Sequence, residues 1–344
     1  MKFLEKKLKR LGFKTRILEF KERGFKPVKN LYARFGSESP NFCYAGHLDV
    51  VPPGNIKDWT TNPFRPSIKR GHLIGRGAND MKGSIAAFVS AVSMFLSKNK
   101  KFNGSISLLI TGDEEGDAVN GTKKVVEFLR KKREKINFCL VGEPTNPNVL
   151  GEMIKIGRRG SLTGKLIIFG LQGHVAYPSR ANNPSTTIVN ILKELKEIKF
   201  DKGTKDFQPT NLEVTKININ NTADNVIPAT AEATFNIRFN NKHSSNSLKK
   251  KLNKIFKKMT KKHKSKFKIE YRVSGEAFLT KPNKTTFMIQ NIIKKITKLK
   301  PKLSTTGGTS DLRFIRTICP GLEFGLVGKT MHKVDEAVSL KDLK

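Results

Sequence analysis

Asn41-Phe-Cys-Tyr-Ala-Gly-His47-Leu-Asp49 is an apolar strand that runs straight into a histidine and an aspartate. The residues that follow it set the fold class. Ser84–Leu96 reads as a helix, Gly104–Thr111 as a strand, Thr122–Lys132 as a helix and Phe138–Val141 as another strand. Strands alternating with helices of this length predict a three-layer α/β domain. The Ser84–Leu96 helix is apolar nearly all round, so it is expected to be buried.

The pattern changes near Gly157. Ser161–Gly170 alternates like a half-exposed strand. A helix is expected over Pro184–Ile198, then strands at Leu212–Ile219 and Ala231–Phe239, a lysine-rich helix, and a strand at Phe267–Val273. That order suits an inserted α+β two-layer sandwich. From Ser274 the α/β pattern resumes, with a helix at Thr285–Leu299 and a strand at Gly321–Leu326. The expected organisation is one large domain in two parts, residues 1–159 and 274–344, interrupted by a second domain at 160–273.

Charge narrows the partners. Basic residues number 66 against 29 acidic ones, a net charge of +37. Such a balance can mark a nucleic-acid or anionic-membrane partner. Lysine outnumbers arginine about three to one, however, and proteins that grip phosphates lean on the bidentate arginine fork. The stretch from Lys249 to Lys268 holds eleven lysines and no acid. Within it and just before it, Leu248, Leu252, Ile255, Phe256 and Met259 recur at helical spacing, so the lysines form the solvated face of an amphipathic helix. The bias is read as drift toward lysine, with no nucleic-acid partner.

Other classes fall away on composition. A 37% hydrophobic content with 23 phenylalanines argues against disorder. The longest apolar stretch, Ile85–Leu96, falls short of the roughly 18 residues a membrane helix needs. Met1–Arg10 is amphipathic and lysine-rich, without the apolar core of a signal peptide. Neither feature implies a membrane partner. Cys43, Cys139 and Cys319 are few, odd in number and far apart, which reads as three small core residues in a reducing cytoplasm.

Five polar elements fall after the apolar strands or in tight loops. The first is His47-Leu-Asp49: a metal-ligand imidazole with a carboxylate placed to orient it. The second is Gly75-Arg-Gly-Ala-Asn-Asp80-Met-Lys-Gly83, a tight loop presenting one carboxylate, which could equally cap the helix after it. The third is Gly112-Asp-Glu114-Glu115-Gly116, a costly run of acids unless exposed or neutralised. The fourth is Gly142-Glu143-Pro144, and the fifth Met331-His332-Lys-Val-Asp-Glu336. Ligands of open α/β sheets bind beyond the carboxyl ends of the strands. Two imidazoles and three carboxylates there suit a pair of zinc ions with one bridging carboxylate.

With these motifs in view, the chain resembles the cocatalytic dizinc deacylase and aminopeptidase superfamily, which includes aminoacylase, acetylornithine deacetylase and carboxypeptidase G. The resemblance rests on Gly46-His-Leu-Asp-Val-Val-Pro-Pro-Gly54, Trp59 with Pro63-Phe64, Gly75 to Gly83, Asn225-Val-Ile-Pro228 and Gly307-Gly-Thr-Ser-Asp311. Gly157-Arg-Arg-Gly-Ser-Leu-Thr-Gly164 and Gln172-Gly-His-Val-Ala-Tyr-Pro178 point to its desuccinylase branch. The implied reaction is hydrolysis of an N-succinylated diamino acid, with a sibling deacylation such as that of acetylornithine as the alternative.

The resemblance implies roles. His47, Asp80 and Glu143 would hold one zinc, and Asp80, Glu115 and His332 the other, with cobalt or manganese able to substitute. Asp49 would orient His47, and Glu114 would be the general base. His174 would steady the oxyanion in the partner subunit's site, which implies a homodimer formed through the inserted domain. Arg158, Tyr177, Asn225, Arg238, Gly308 and Thr309 would hold the substrate or lie beside it. Two departures concern specificity: Asp224 and Gly328 stand where relatives usually carry asparagine. The family's first and last helices also have no counterpart, so the expected chain is either a compact variant or an incomplete one. His72, His243 and His263 lie outside every constellation and are read as structural.

Overall fold

The Asn41–His47 strand sits inside an eight-stranded mixed sheet. A computed structural model of the chain describes residues 1–99 and 101–344. Across the sheet the order is Lys14–Phe20, Val28–Phe35, Ser105–Thr111, Asn41–His47, Phe138–Val141, Gly321–Glu323, Met153–Lys155 and Lys302–Ser304. Asn41–His47 pairs in parallel with Ser105–Thr111 on one side and Phe138–Val141 on the other. Those three strands therefore end at the same edge, and His47 stands opposite Thr111 there.

Helices cover both faces, as the α/β reading requires. On one face Leu8 and Ile85 pack with Leu31, Ala33, Tyr44 and Leu108. Pleating turns alternate residues to the other face, where the Thr122–Lys131 helix buries Val125, Val126 and Leu129. The helix expected to be buried throughout spans Gly83–Lys98 and is buried only at Gly83, Ser84, Ile85 and Val92. Met94 is 62% exposed, because one helix on a sheet buries one stripe. The strand expected over Gly321–Leu326 stops at Glu323. Beyond it, the carbonyls of Gly325 and Leu326 accept from Asn146 rather than from a strand.

This sheet belongs to one of two compact units, formed by Met1–Ile156, Thr280–Ser304 and Ser310–Lys344. The other comprises Gly157–Leu279 with Thr305–Thr309. It opens at Gly157 rather than 160 and closes at Leu279 rather than 273, because Gly157–Arg158 pairs with Phe278–Leu279. Residues 305–309 join it, and Arg158 donates to the Thr306 carbonyl at 3.1 Å.

The second unit is an antiparallel sheet in the order Asn211–Asn218, Thr230–Phe239, Gly160–Phe169 and Lys266–Gly275. Its inner residues, among them Leu162, Leu166, Phe235 and Phe239, meet the helices Pro184–Glu197 and Ser245–Lys262. Gly160 and Gly164 lie directly against the rings of Phe239 and Phe235, so a side chain at either would collide with a ring. Ser244 caps the lysine-rich helix through a reciprocal pair with Ser247. Leu248, Leu252, Phe256 and Met259 face inward, and the lysines at 250, 254, 257 and 261 are exposed. Among the described residues, no helix is long and apolar enough to cross a membrane.

Candidate metal centre

Five polar elements scattered between residues 47 and 336 converge at the sheet's carboxyl edge. Asp80 is central. Its Oδ1 lies 3.1 Å from Nε2 of His47, and its Oδ2 lies 3.1 Å from Nε2 of His332. Glu143 Oε1 is 3.9 Å from His47 Nε2, and Glu115 Oε1 is 2.8 Å from His332 Nε2. Three sets of three ligand atoms result, His47–Asp80–Glu143, Asp80–Glu115–His332 and His47–Glu114–Glu115, the atoms of each within 4.8 Å of one another. Four ligand atoms held tetrahedrally at zinc distances sit roughly 3.3 Å apart. Imidazole nitrogens and carboxylate oxygens are donors that zinc and its neighbours accept.

The local electrostatics fit a cation. Burial pulls the His47 imidazole down, but its bond to Asp80 and the charges of Glu143 and Glu114 outweigh that and hold it well above the usual range. Hydrogen bonds to Asp80 and Glu115 raise His332 to about 10. Burial opposes ionisation of Asp80, yet the two histidines pull it down to about 2. Each imidazole meets the carboxylates through Nε2, the atom it would offer to a metal, and positive charge at that point balances theirs. Divalent ions would supply that charge.

The three adjacent acids go three ways. Asp113 turns back into its own loop and accepts from the main chain of Val119 and Asn120 at 2.9 and 2.8 Å. Glu115 faces His332. Glu114 is buried, and that burial, reinforced by Glu143 and Asp311, pushes its carboxyl well above the ordinary range. Arg313 lies 3.9 Å from it, and His47 stands close enough to share a ligand set with it. The main-chain carbonyl of Asp49 meets His47 Nδ1 at 3.0 Å, whereas its Oδ1 is 3.7 Å away. Oδ2 of Asp49 accepts from the Glu115 N–H at 2.9 Å, and Oδ1 is buried without a hydrogen-bond partner. The Asp80–Met81 peptide is cis.

The remaining expected residues belong to the second unit. Arg158 is buried beside the loop that carries Gly308 and Thr309. His174 and Tyr177 are exposed, with ring centroids 5.8 Å apart, and the Asn225 carbonyl accepts from Val175 at 3.0 Å. His174 Nδ1 accepts from the Ala176 N–H at 3.1 Å, which leaves Nε2 as the donor. Arg238 stands opposite Ser161 and Asn211 on the sheet.

The sequence reading gave no role to four residues that bear on the centre. Asp311 takes a hydrogen bond from Thr122 at 2.5 Å and lies 3.9 Å from Arg313. Arg76 and Glu336 form a buried ion pair between the loops of Asp80 and His332. Both of these last two sat inside motifs already singled out. Their tendency to pair, however, had no signature in sequence across 260 positions.

Comparison with known proteins agrees with this geometry. The model of peptidase family M20/M25/M40 matches residues 43–344, and the chain belongs to that family. The succinyl-diaminopimelate desuccinylase of Pelagibacter ubique (strain HTCC1062) is 77% identical over 344 residues, spanning all of this chain and 90% of that protein. The protein of the same name from Beijerinckia indica subsp. indica is 50% identical over 345 residues, covering 99% of this chain and 88% of its own length. Among solved structures, the M20 family metallo-carboxypeptidase Sso-CP2 of Sulfolobus solfataricus shares the fold with a TM-score of 0.79 at 20% identity, covering 99% of this chain and 90% of that one.

Proposed function

We propose that this chain hydrolyses N-succinyl-LL-2,6-diaminopimelate to succinate and LL-2,6-diaminopimelate, in lysine and diaminopimelate biosynthesis. The observation that carries the reading is the Asp80 carboxylate, which offers one oxygen to the neighbourhood of each histidine at 3.1 Å. His47, Asp80 and Glu143 would hold one zinc ion, and Asp80, Glu115 and His332 would hold the second, with cobalt or manganese able to substitute. Bound there, the ions supply Lewis acidity toward the amide carbonyl and lower the pKa of water.

The chain's own residues do the rest. Glu114 takes a proton from the attacking water and passes it to the departing amine. Its burial, reinforced by Glu143 and Asp311, raises its carboxyl and so gives it a higher proton affinity than an ordinary carboxylate has. Asp49 fixes the ring of His47 and the main chain of Glu115. Arg158 and Arg238 offer planar donors to the carboxylates of the substrate. Tyr177, Asn225, Gly308 and Thr309 line its path. The chain works as a cytoplasmic homodimer, formed through the second unit, in which His174 donates from Nε2 to the oxyanion in the partner subunit's site.

The test pairs elemental analysis of the purified protein with turnover of succinyl-diaminopimelate, acetylornithine and acetylmethionine. Two equivalents of metal and a clear preference for the succinyl substrate are expected. Faster hydrolysis of acetylornithine would assign the chain to the sibling deacylase instead. Sedimentation at assay concentration reads the dimer separately.

A further inference from the structure

Arg76 lies four residues before Asp80, and Glu336 lies four residues after His332. Their side chains are 2% and 1% exposed, and Arg76 Nη1 meets Glu336 Oε2 at 2.7 Å. The other Glu336 oxygen accepts from the N–H groups of Asn79 at 2.9 Å and Asp80 at 3.0 Å. Arg76 donates onward to the carbonyls of Lys333 at 3.1 Å, Pro52 at 3.3 Å and His332 at 3.5 Å. One ion pair thus touches the main chain of two metal ligands that lie 252 positions apart in sequence (332 − 80).

The backbone explains why such a tie is needed. His332 has φ of 64° and Asp335 of 54°, in the left-handed region that side chains avoid. Such conformations persist only where the surroundings over-determine them. The Arg76 donors on the carbonyls of His332 and Lys333 are a restraint of that kind. The guanidinium is itself held over the Trp59 ring, 5.1 Å from its centroid, and the Trp59 indole N–H is anchored to the Pro53 carbonyl at 2.9 Å. Arg76 Nε is buried without a partner, so the side chain is placed for its Nη contacts and not to satisfy every donor.

We propose that Arg76 and Glu336 are positioning residues, a clasp that sets metal affinity by locking the loop of Asp80 to the loop of His332. A buried ion pair is by itself weak evidence for stability, because desolvation offsets the attraction. This one is bonded to the frame of the bridging carboxylate and to the frame of a histidine ligand. The inference rests on the metal-centre reading above.

The test titrates metal-free Glu336→Gln and Arg76→Lys with Zn2+ and Co2+ against a chromophoric chelator. Each variant's melting temperature is measured in the metal-free state. Both substitutions nearly keep shape and remove the charged or forked pairing. Zinc affinity is expected to fall roughly 10–100-fold. The Co2+ absorption spectrum should change and excess zinc should restore most turnover; metal-free melting should fall for Glu336→Gln, which leaves Arg76 charged and buried, and should stay nearer the parent for Arg76→Lys, which keeps the charge pair. Parent-like affinity and spectrum in both variants would overturn the clasp. So would turnover that excess zinc fails to rescue, since the pair would then be a core ion pair or act elsewhere. If Glu336→Gln does not fold, Arg76→Lys carries the same readouts. If the parent protein itself binds neither ion, the metal-centre reading fails, and that outcome is distinct from tight binding by parent and variants alike.

Discussion

Each unit buries an aspartate against a histidine at the same distance. In the first, Asp80 Oδ1 is 3.1 Å from His47; in the second, Asp201 Oδ2 is 3.1 Å from His243. The surroundings differ. Asp201 also accepts from the Gly203 N–H and the Asn240 amide at 2.6 Å each, and from the Thr210 N–H at 3.3 Å. Donors of the fold saturate its lone pairs. Around Asp80 the neighbours are more carboxylates, and Asp49 and Asp311 each retain a buried oxygen without a donor. A saturated acid is a structural cross-link, whereas a group of acids short of donors invites a cation.

The largest effect should come from the unsatisfied side. Glu114→Ala is expected to keep full metal content and to lose turnover by roughly 10²–10⁴-fold. Its melting temperature should not fall, because the substitution removes a carboxylate whose burial is costly. Steady-state kinetics, metal analysis and a thermal melt on one preparation check all three. A variant with parent-like turnover would remove Glu114 from the proton path.

Asp201→Ala should do the reverse. Buried donors at Gly203, Asn240 and Thr210 would lose their acceptor, and leaving such groups unpaired costs about 1–3 kcal/mol each before relaxation. A net loss of about 2–4 kcal/mol is expected in denaturant unfolding of the second unit, with metal stoichiometry unchanged. Loss of metal in this variant would blur the distinction between the two pairs.

A smaller effect follows from pH. Burial opposes ionisation of Asp201, but bonds from Thr210, Gly203 and Asn240 outweigh it and pull the carboxyl from 3.8 to about 2. A depressed folded pKa gives stability that is present above the unfolded value and lost as pH falls through the folded one. The parent should therefore lose on the order of 1–2 kcal/mol between about pH 4 and pH 2 that Asp201→Asn does not lose. Parallel acid-unfolding curves for parent and variant would show that Asp201 does not contribute.

Much of this was legible because burial and chemistry left local marks. The strand Asn41–His47 could be read because its central neighbours are apolar on both faces, and the five ligand candidates could be read because each follows an apolar strand or sits in a glycine-rich loop. The hairpin Lys14–Phe20 with Val28–Phe35 was missed. It lies at the sheet edge, where charged residues such as Lys14, Arg16 and Glu19 interrupt the apolar pattern. The Arg76–Glu336 pair was illegible for another reason: its halves meet only once the fold brings residues 76 and 336 together. Asp201 gave no signal either, since a single acid two residues before a glycine resembles any turn.

The smallest effect concerns the outward-facing lysines, the counterpart of the buried acids. The proposed substrate carries three carboxylates and one ammonium, so a chain of net charge +37 attracts it over a Debye length of roughly 10 Å at 0.1 M salt. Steering acts on encounter, so kcat/KM should fall several-fold from low to high ionic strength while kcat stays level. The lysine-faced helix separates steering from drift. Lys254→Glu, Lys257→Glu and Lys261→Glu reverse exposed charges, and each should cost no more than about 0.5 kcal/mol of stability. If the field of the whole surface steers the substrate, the triple variant flattens the salt slope without touching kcat. A slope that is already flat in the parent makes those lysines solvated surface and nothing more, and the chemistry then rests wholly on the donor-poor acids of the first unit.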